Sequence, residues 1–503
     1  MHENAEHCVR AVQSKDARFD GWFFTAVLTT KIYCRPSCPV VPPKPENMSF
    51  YPSAAAAQQA GFRACKRCRP DATPGSPEWN VRAGLAARAM RLIKDGVVDR
   101  EGVRGLAARL GYSTRQVERQ LQAEVGAGPA ALARAQRAQA ARLLIETSTL
   151  PMAEVAFASG FASIRTFNDT VHSVFGMTPS ELRRRGRPSA TAGAVALRLP
   201  FRSPLCPDSL FGHLAVTGVP GVEEWRAGAY RRTLRLPHGH GIAELRPTGA
   251  SYIQCTLHLS DLRDLTIAIN RCRRLLDLDA DPVAYGEALH DDDVLAPLVR
   301  KSPGRRIPQT VDGAEFAVRA MLGQQVSTAA ARTHAARLVR AHGDPVVDAT
   351  GGLTHLFPSP AALSALDPAV LALPRRRSEA VLALVDALAS GRLDLGAGSD
   401  WQEARARLGA LPGAGPWTVE TIALRALGDP DAFPATDLGV KAAAAGLGLP
   451  GTPAALLRRA RVWQPWRGYA VQYLWATGDH PVNEMPTGDI TSPPPSTLRA
   501  HDA

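Results

Sequence analysis

Nowhere in the 503 residues is there an apolar run long enough to cross a membrane, and the opening MHENAEHCVR is polar, without a signal-peptide pattern. A cytoplasmic location and no membrane partner are therefore expected. Cysteine is scarce, with eight in all and none after Cys272, so the C-terminal half holds no ligands for a cysteine-bound iron–sulfur cluster. Negative charge is short as well: 47 Asp+Glu face 59 Lys+Arg, leaving a net charge of +12 and a pI of about 9.6. A hydrophobic fraction of 45% with a mean hydropathy of -0.12 describes a soluble globular chain, and its length is too great for one core, so three or four domains are expected.

The charge excess is local. Lys+Arg against Asp+Glu run 10 to 7 over residues 1–81, 17 to 9 over 82–187 and 32 to 31 over the remainder. A basic block is ordinarily a solvated face; on helices with turn-helix spacing it is the electrostatic footprint of a nucleic-acid binder. Residues 82–187 have that spacing twice. VRGLAARLGYSTRQVERQLQAEVG reads as a helix, a turn at Gly111-Tyr112 and a second helix capped by Ser113, and MAEVAFASGFASIRTFNDTVHSVFG repeats it with Gly160-Phe161 and Ser163. Helical hairpins share part of this pattern, but the repeat, the basic excess and the closing FGMTPSELRRR resemble the AraC-type regulator domain. Paired units of this kind place their second helices in successive major grooves, which puts Thr114, Arg115, Arg119, Arg165 and Asn168 toward double-stranded DNA at a promoter site.

Four cysteines, Cys34, Cys38, Cys65 and Cys68, form a C-x3-C and C-x2-C pair of pairs, the spacing of a tetrahedral Zn(Cys)4 site rather than of disulfides in a cytosolic chain. By spacing alone the zinc is structural, letting a small domain fold. Cys8, Cys206, Cys255 and Cys272 read as ordinary thiols. The flanking words YCRPSCP and NMSFYPSAAAAQQAGFRACKRCRP resemble the N-terminal domain of the Ada adaptive-response family. That resemblance implies that Cys34 is both a zinc ligand and the acceptor of a methyl group from a DNA methylphosphotriester. Zinc keeps a coordinated thiol deprotonated at neutral pH. Transfer would be stoichiometric, since a thioether is not hydrolysed, and it would remove one negative charge from the site and so strengthen DNA binding.

In the C-terminal half, LPGAGPWTVE, Leu411 to Glu420, is a glycine-punctuated turn between helix-like segments, and its outward backbone N–H groups suit phosphate. FPATDLGVK places Asp437 twenty residues beyond Trp417, before an alanine-rich helix. Taken singly these are a turn and an N-cap. Together they resemble the helix-hairpin-helix DNA glycosylases; with MLGQQVS at Met321–Ser327 and PWRGYAVQYLW at Pro465–Trp475 they look like the AlkA-type 3-methyladenine DNA glycosylases, over roughly 190 to 480.

The resemblance implies that Gly413 and Gly415 grip the DNA backbone, that Asp437 is the catalytic carboxylate, and that Trp417 and Trp475 are pocket walls rather than plain core. Gln325 falls where AlkA-type relatives carry an apolar wedge that fills the gap left by a flipped base, while Gln324 and Ser327 are candidates for fixing that loop. Trp417 stands where lyase members carry a Schiff-base lysine, so base release by hydrolysis alone is expected. No PCHR-type motif is present, and O6-methylguanine repair is not expected. The glycosylase reaction needs no cofactor, though a monovalent cation bound by the hairpin backbone at Leu411–Gly415 belongs to the same expectations.

The expected architecture is multidomain α+β: a small zinc-bound α/β domain over 1–78, an all-α double helix-turn-helix domain over 79–187, a strand-rich α+β domain over 193–300, an all-α helix-hairpin-helix glycosylase domain over 301–480, and a disordered tail over 481–503. Proline- and glycine-rich linkers are expected at Asp71–Pro77 and 187–194. The functional expectation is a monomeric DNA alkylation repair protein that excises bases such as 3-methyladenine and 7-methylguanine and carries a suicidal methyl acceptor and a regulator module. The rival is a damage-sensing regulator whose C-terminal half binds DNA without catalysis.

Overall fold

The structure, a computed structural model, describes residues 4–70, 84–185, 194–249, 251–365, 368–371 and 373–490. The two expected linkers fall almost wholly outside the described residues, as do residues 491–503 of the expected tail. No helix among the described residues is long and apolar enough to cross a membrane.

The N-terminal unit packs the helix Ala5–Gln13 through Cys8, Ala11 and Val12 against a four-stranded sheet. Its order is β3 (Met48–Tyr51), β1 (Phe24–Val27), β2 (Ile32–Cys34), β4 (Arg63–Ala64). All pairs are antiparallel except β2 with β4, which run parallel with Tyr33 opposite Ala64. That one parallel pair positions the metal site, because it brings Cys34 at the end of β2 beside Cys65 just past β4.

Two helix-turn-helix units follow. The first pairs Val97–Leu110, kinked at Gly102, with Thr114–Val125; the second pairs Met152–Ala158 with Ile164–Phe175; the helix Pro129–Thr147 joins them. Both turns use a glycine at positive φ, Gly111 at 76° and Gly160 at 84°, the left-handed conformation that costs a glycine little. Ser113 and Ser163 cap the second helices, accepting from the N–H of Gln116 and Thr166. Apolar residues at helical spacing, Val117, Leu121 and Val125 in one unit and Phe167, Val171 and Phe175 in the other, turn inward. Both helices end against the N-terminal unit, Gly126 beside Pro52 and Gly176 beside Arg63.

The third unit is an antiparallel five-stranded sheet, ordered β5 (Ala194–Pro200), β9 (Tyr252–Leu259), β8 (Gly239–Pro247), β7 (Ala229–Leu236), β6 (Glu223–Arg226). β5, β7, β8 and β9 grow from apolar or alternating runs, AVALRLP, RRTLRL, GIAELRP and YIQCTLHL, that fit the strand-rich expectation. β6 and the preceding helix Pro207–Thr217 are not legible in the sequence, because β6 buries two glutamates, Glu223 and Glu224, in place of an alternating apolar pattern. Arginines offset that burial: Arg232 and Arg319 on Glu223, Arg231 on Glu224.

The C-terminal unit is helical. Its core extends upstream of residue 301, taking in Tyr285, Leu289, Leu295 and Val299, so the expected division at 300 does not separate two cores. A second correction concerns the expected tail. Residues 481–490 are packed: a short helical turn at Pro481–Asn483 lies against Pro207–Thr217, Met485 and Ile490 reach apolar residues of the strand-rich unit, and Ile490 exchanges two backbone hydrogen bonds with Trp225. Proline, glycine and polar residues in this stretch mask its two apolar anchors, Met485 and Ile490.

Candidate functional site

The cysteine cluster assembles as the spacing predicts. The sulfurs of Cys34, Cys38, Cys65 and Cys68 all lie within 4.8 Å of one another. A tetrahedral Zn2+ with Zn–S bonds near 2.3 Å separates its sulfurs by about 3.8 Å, so the four fit a zinc ion. Three of them are buried, and only Cys34 is partly exposed. Hydrogen bonds with Cys38, Cys65 and Cys68, and then burial, push the Cys34 thiol far above its ordinary range, while hydrogen bonds within the same cluster lower Cys38 and Cys65. A dication among them inverts the preference of Cys34 for its proton. Asp20, which no sequence signal singles out, fastens the loop between the first two ligands. Its carboxylate accepts from the Ser37 N–H at 3.0 Å and the Ser37 hydroxyl at 2.6 Å and pairs with Arg35 at 3.2 Å.

On the helix-turn-helix units, Thr114, Arg115 and Arg119 on one second helix and Arg165 and Asn168 on the other are all exposed. Arg165 has only a loose 4.0 Å pairing with Asp169, with 93% of its side chain in solvent. The pattern that buries Val117 and Phe167 turns these residues outward.

In the C-terminal unit three helix ends converge on Asp437. It caps the helix Leu438–Gly446, its Oδ1 accepting from the Val440 N–H at 2.9 Å. The indole N–H of Trp475, last residue of the helix Arg467–Trp475, donates to the same oxygen at 2.8 Å, and that of Trp417, near the start of Pro416–Ile422, donates to Oδ2 at 2.8 Å. The cap and the candidate catalytic group are thus one side chain. Both tryptophans are half-buried, and each is fixed by its N–H as well as by its ring. A carboxylate offers about four lone-pair sites. Three are used, and one is left for a ligand.

The hairpin lies between Trp401–Gly409 and Pro416–Ile422. Gly413 is exposed, has φ 76°, and would set a Cβ 2.7 Å from that of Ala380, so both conformation and space exclude a side chain. Gly415 is exposed with open space around its Cα. Gln324 ties the upstream loop to this turn, its Nε2 donating to the Gly413 carbonyl at 2.9 Å and the Thr418 hydroxyl at 2.7 Å. Its neighbour Gln325 is exposed and held at φ 55°, a conformation costing a non-glycine residue roughly 1–2 kcal/mol. Ser327 caps the next helix, accepting from the Ala330 N–H. Glu420, missed in the sequence, braces the approach to Asp437: it takes Arg405 at 3.1 Å and the Phe433 N–H at 2.9 Å.

Family models match in three places: the metal binding domain of Ada over residues 7–71, a helix-turn-helix domain over 106–185, and the AlkA N-terminal domain over 196–312. The chain is 62% identical over 491 residues to the probable bifunctional transcriptional activator/DNA repair enzyme AlkA of Mycobacterium tuberculosis, covering 97% of this chain and 99% of that protein. It is 33% identical over 275 residues to DNA-3-methyladenine glycosylase 2 of Escherichia coli, covering 53% of this chain and 92% of that one. With the bifunctional transcriptional activator/DNA repair enzyme Ada of Escherichia coli it shares 32% identity over 190 residues, 37% of this chain and 51% of the relative.

Proposed function

The chain belongs to the family of AlkA-type bifunctional transcriptional activators and DNA repair enzymes, and from that membership we propose how its residues divide the work. The chain is a DNA-3-methyladenine glycosylase joined to an Ada-type methyl acceptor and a helix-turn-helix regulator. Base excision belongs to Asp437, methyl acceptance to Cys34, and sequence-specific docking to Thr114, Arg115, Arg119, Arg165 and Asn168. The observation that carries the excision assignment is the grip of two indole N–H groups on one carboxylate, each at 2.8 Å.

A base inside a duplex is out of reach and must be flipped. Gln325, exposed at its positive-φ turn, enters the space the base leaves, and the bare backbone at Gly413 and Gly415 holds the neighbouring phosphates. Methylation at N3 or N7 puts a positive charge on a purine, so the base departs with the electrons of the N-glycosidic bond and needs little acid help. The sugar becomes oxocarbenium-like. The unused lone pair of Asp437 stabilises that cation and orients the water that adds to C1′. Trp417 and Trp475 keep the carboxylate aimed, and their faces suit a cationic ring. A monovalent cation, if bound, would be held by the hairpin backbone at Leu411–Gly415.

At the other end, Cys34, Cys38, Cys65 and Cys68 would hold a zinc ion, which would keep the Cys34 thiol deprotonated at neutral pH. Cys34, the one partly exposed ligand, attacks the methyl carbon of the phosphotriester; an S–C bond forms, the C–O bond breaks, and the oxygen keeps the electron pair as a restored phosphodiester. The chain acts as a monomer on duplex DNA. Abasic-site formation in methylated duplex DNA tests the excision reading. Release of 3-methyladenine that depends on Asp437 supports it; DNA binding without release returns the C-terminal half to a binding module.

A further inference from the structure

A cavity of about 300 Å³ shares Trp417 with the carboxylate site and Gly323 and Val326 with the loop that carries Gln325. That volume lies at the lower end of the range for small-molecule pockets. Four arginines line it, and two of them are neutralised. Arg232 and Arg319 are each held by both Glu223 and Glu315, at 2.9 to 3.1 Å, in a closed ring of two cations and two anions.

The other two stand apart. Arg332 donates from Nε to the Gly218 carbonyl at 2.7 Å. Arg425 donates from Nε to the Pro308 carbonyl at 2.7 Å, meets His213 through Nη1, and lies over the Phe316 ring at 4.9 Å. Neither has a carboxylate partner among the described residues. Burial lowers both, Arg425 to about 9, and keeps His213 neutral. Arg425 sits in a π-helical turn, Ala423–Leu427, a local unwinding that often marks functional sites. Thr421, on the same wall, is 8% exposed, and its hydroxyl has no hydrogen-bond partner.

A guanidinium only donates. Two of them without counter-charge, beside an unpaired hydroxyl in a sheltered space, call for acceptor oxygens, and they do not suit a ring that offers only amino groups and positive charge. We propose that this cavity seats the extruded base and that Arg332 and Arg425, with Thr421, set its selectivity: a base edge bearing an exocyclic carbonyl is held, and one without is held less well. The proposal rests on the glycosylase reading above and adds its substrate preference. Among methylated purines, 7-methylguanine carries such a carbonyl and 3-methyladenine does not; hypoxanthine carries one without the positive charge.

The test uses full-length, zinc-loaded protein and one preparation of methylated duplex DNA, from which both methylpurines are released and quantified together. Any loss of folded protein or of DNA affinity lowers both, so their ratio reports the cavity. Arg332→Met and Arg425→Met should each lower the ratio of 7-methylguanine to 3-methyladenine by roughly tenfold or more, the scale of a lost charged hydrogen bond, and Arg332→Lys should restore much of it. Release of hypoxanthine from a defined duplex should fall with 7-methylguanine. An unchanged ratio in both Met variants overturns the proposal and makes these arginines contacts to the DNA backbone or to the protein alone, as does a wild-type protein that releases 3-methyladenine but no 7-methylguanine. Wild-type protein that releases neither base overturns the glycosylase reading itself, and this inference with it.

Discussion

Replacing Asp437 by Asn is the sharpest single perturbation of the proposed excision site, because the structure shows which contacts it spares. Asparagine caps helices as well as aspartate does. Its carbonyl oxygen can occupy the Oδ1 position and keep both the Val440 N–H and the Trp475 indole. The amide NH2 then falls at Oδ2, facing the Trp417 N–H, which at 2.8 Å leaves two donors opposed and one half-buried indole unpaired. A donor stranded in this way costs about 1–3 kcal/mol, and the surviving hydrogen bonds lose their charge assistance. Stability of the C-terminal unit should fall by that amount without unfolding it. Activity should fall further: removing an electrostatic stabiliser costs about 10²-fold or more, near 2.7 kcal/mol of barrier. Abasic-site release from methylated duplex, measured beside thermal unfolding and DNA affinity, separates the two effects. Trp417→Phe supplies the control, since it removes the same indole hydrogen bond but keeps the charge, and it should lose less activity than Asp437→Asn. A folded Asp437→Asn protein releasing base within about threefold of wild type would refute the electrostatic role, for which the expected loss is at least tenfold greater.

At the zinc site, methylphosphotriester DNA should add one methyl to Cys34, located by mass spectrometry; Cys34→Ser should block transfer, and a methyl on Cys38, Cys65 or Cys68 would overturn the assignment. Chelation should unfold the N-terminal unit, read as loss of its amide protection, because three of the four ligands are buried in a cluster made of the cysteines alone, apart from the apolar core around Phe23 and Met48. Alanine at Arg115, Arg119 and Arg165 together should flatten the salt dependence of promoter binding by about 0.9 in log–log slope for each phosphate no longer neutralised. An unchanged slope places those arginines off the backbone. Deleting 82–187 outright is a poorer test, since Asn270 bonds the Lys94 carbonyl and Leu92 lies against Gly398, so deletion strips other units. Gly413→Ala should weaken DNA binding and stability alike, because its Cβ would meet Ala380 at 2.7 Å and φ is 76°; retention of full affinity would remove the hairpin from the DNA interface.

What could be read in the sequence is what local chemistry fixes. The cysteine quartet announces itself by spacing, and the helix-turn-helix repeats by their paired glycines and serine caps at Ser113 and Ser163. The hairpin is legible through Gly413, whose φ no other residue adopts cheaply. Relations between distant segments are less legible. Trp417 and Trp475 stand out as aromatic residues and so as walls, yet their defining contacts are the N–H groups they aim at Asp437 from two separate helices. β6 hides because Glu223 and Glu224 are buried by arginines that the local pattern does not show. Residues 481–490 read as tail by composition and are held by Met485 and Ile490. Arg332 and Arg425 look like any other arginines in the sequence, and only the folded cavity separates them from Arg232 and Arg319, whose charges are cancelled.

Whether Asp437, held by two indoles, drives hydrolytic release of alkylated bases is decided by single-turnover release of 3-methyladenine from methylated duplex DNA by wild-type and Asp437→Asn protein. The wild type should release the base and leave an abasic site with an intact strand, at a rate at least roughly a hundredfold above that of the folded variant. Equal rates in the two proteins, or strand cleavage coupled to release, would contradict hydrolytic release driven by Asp437.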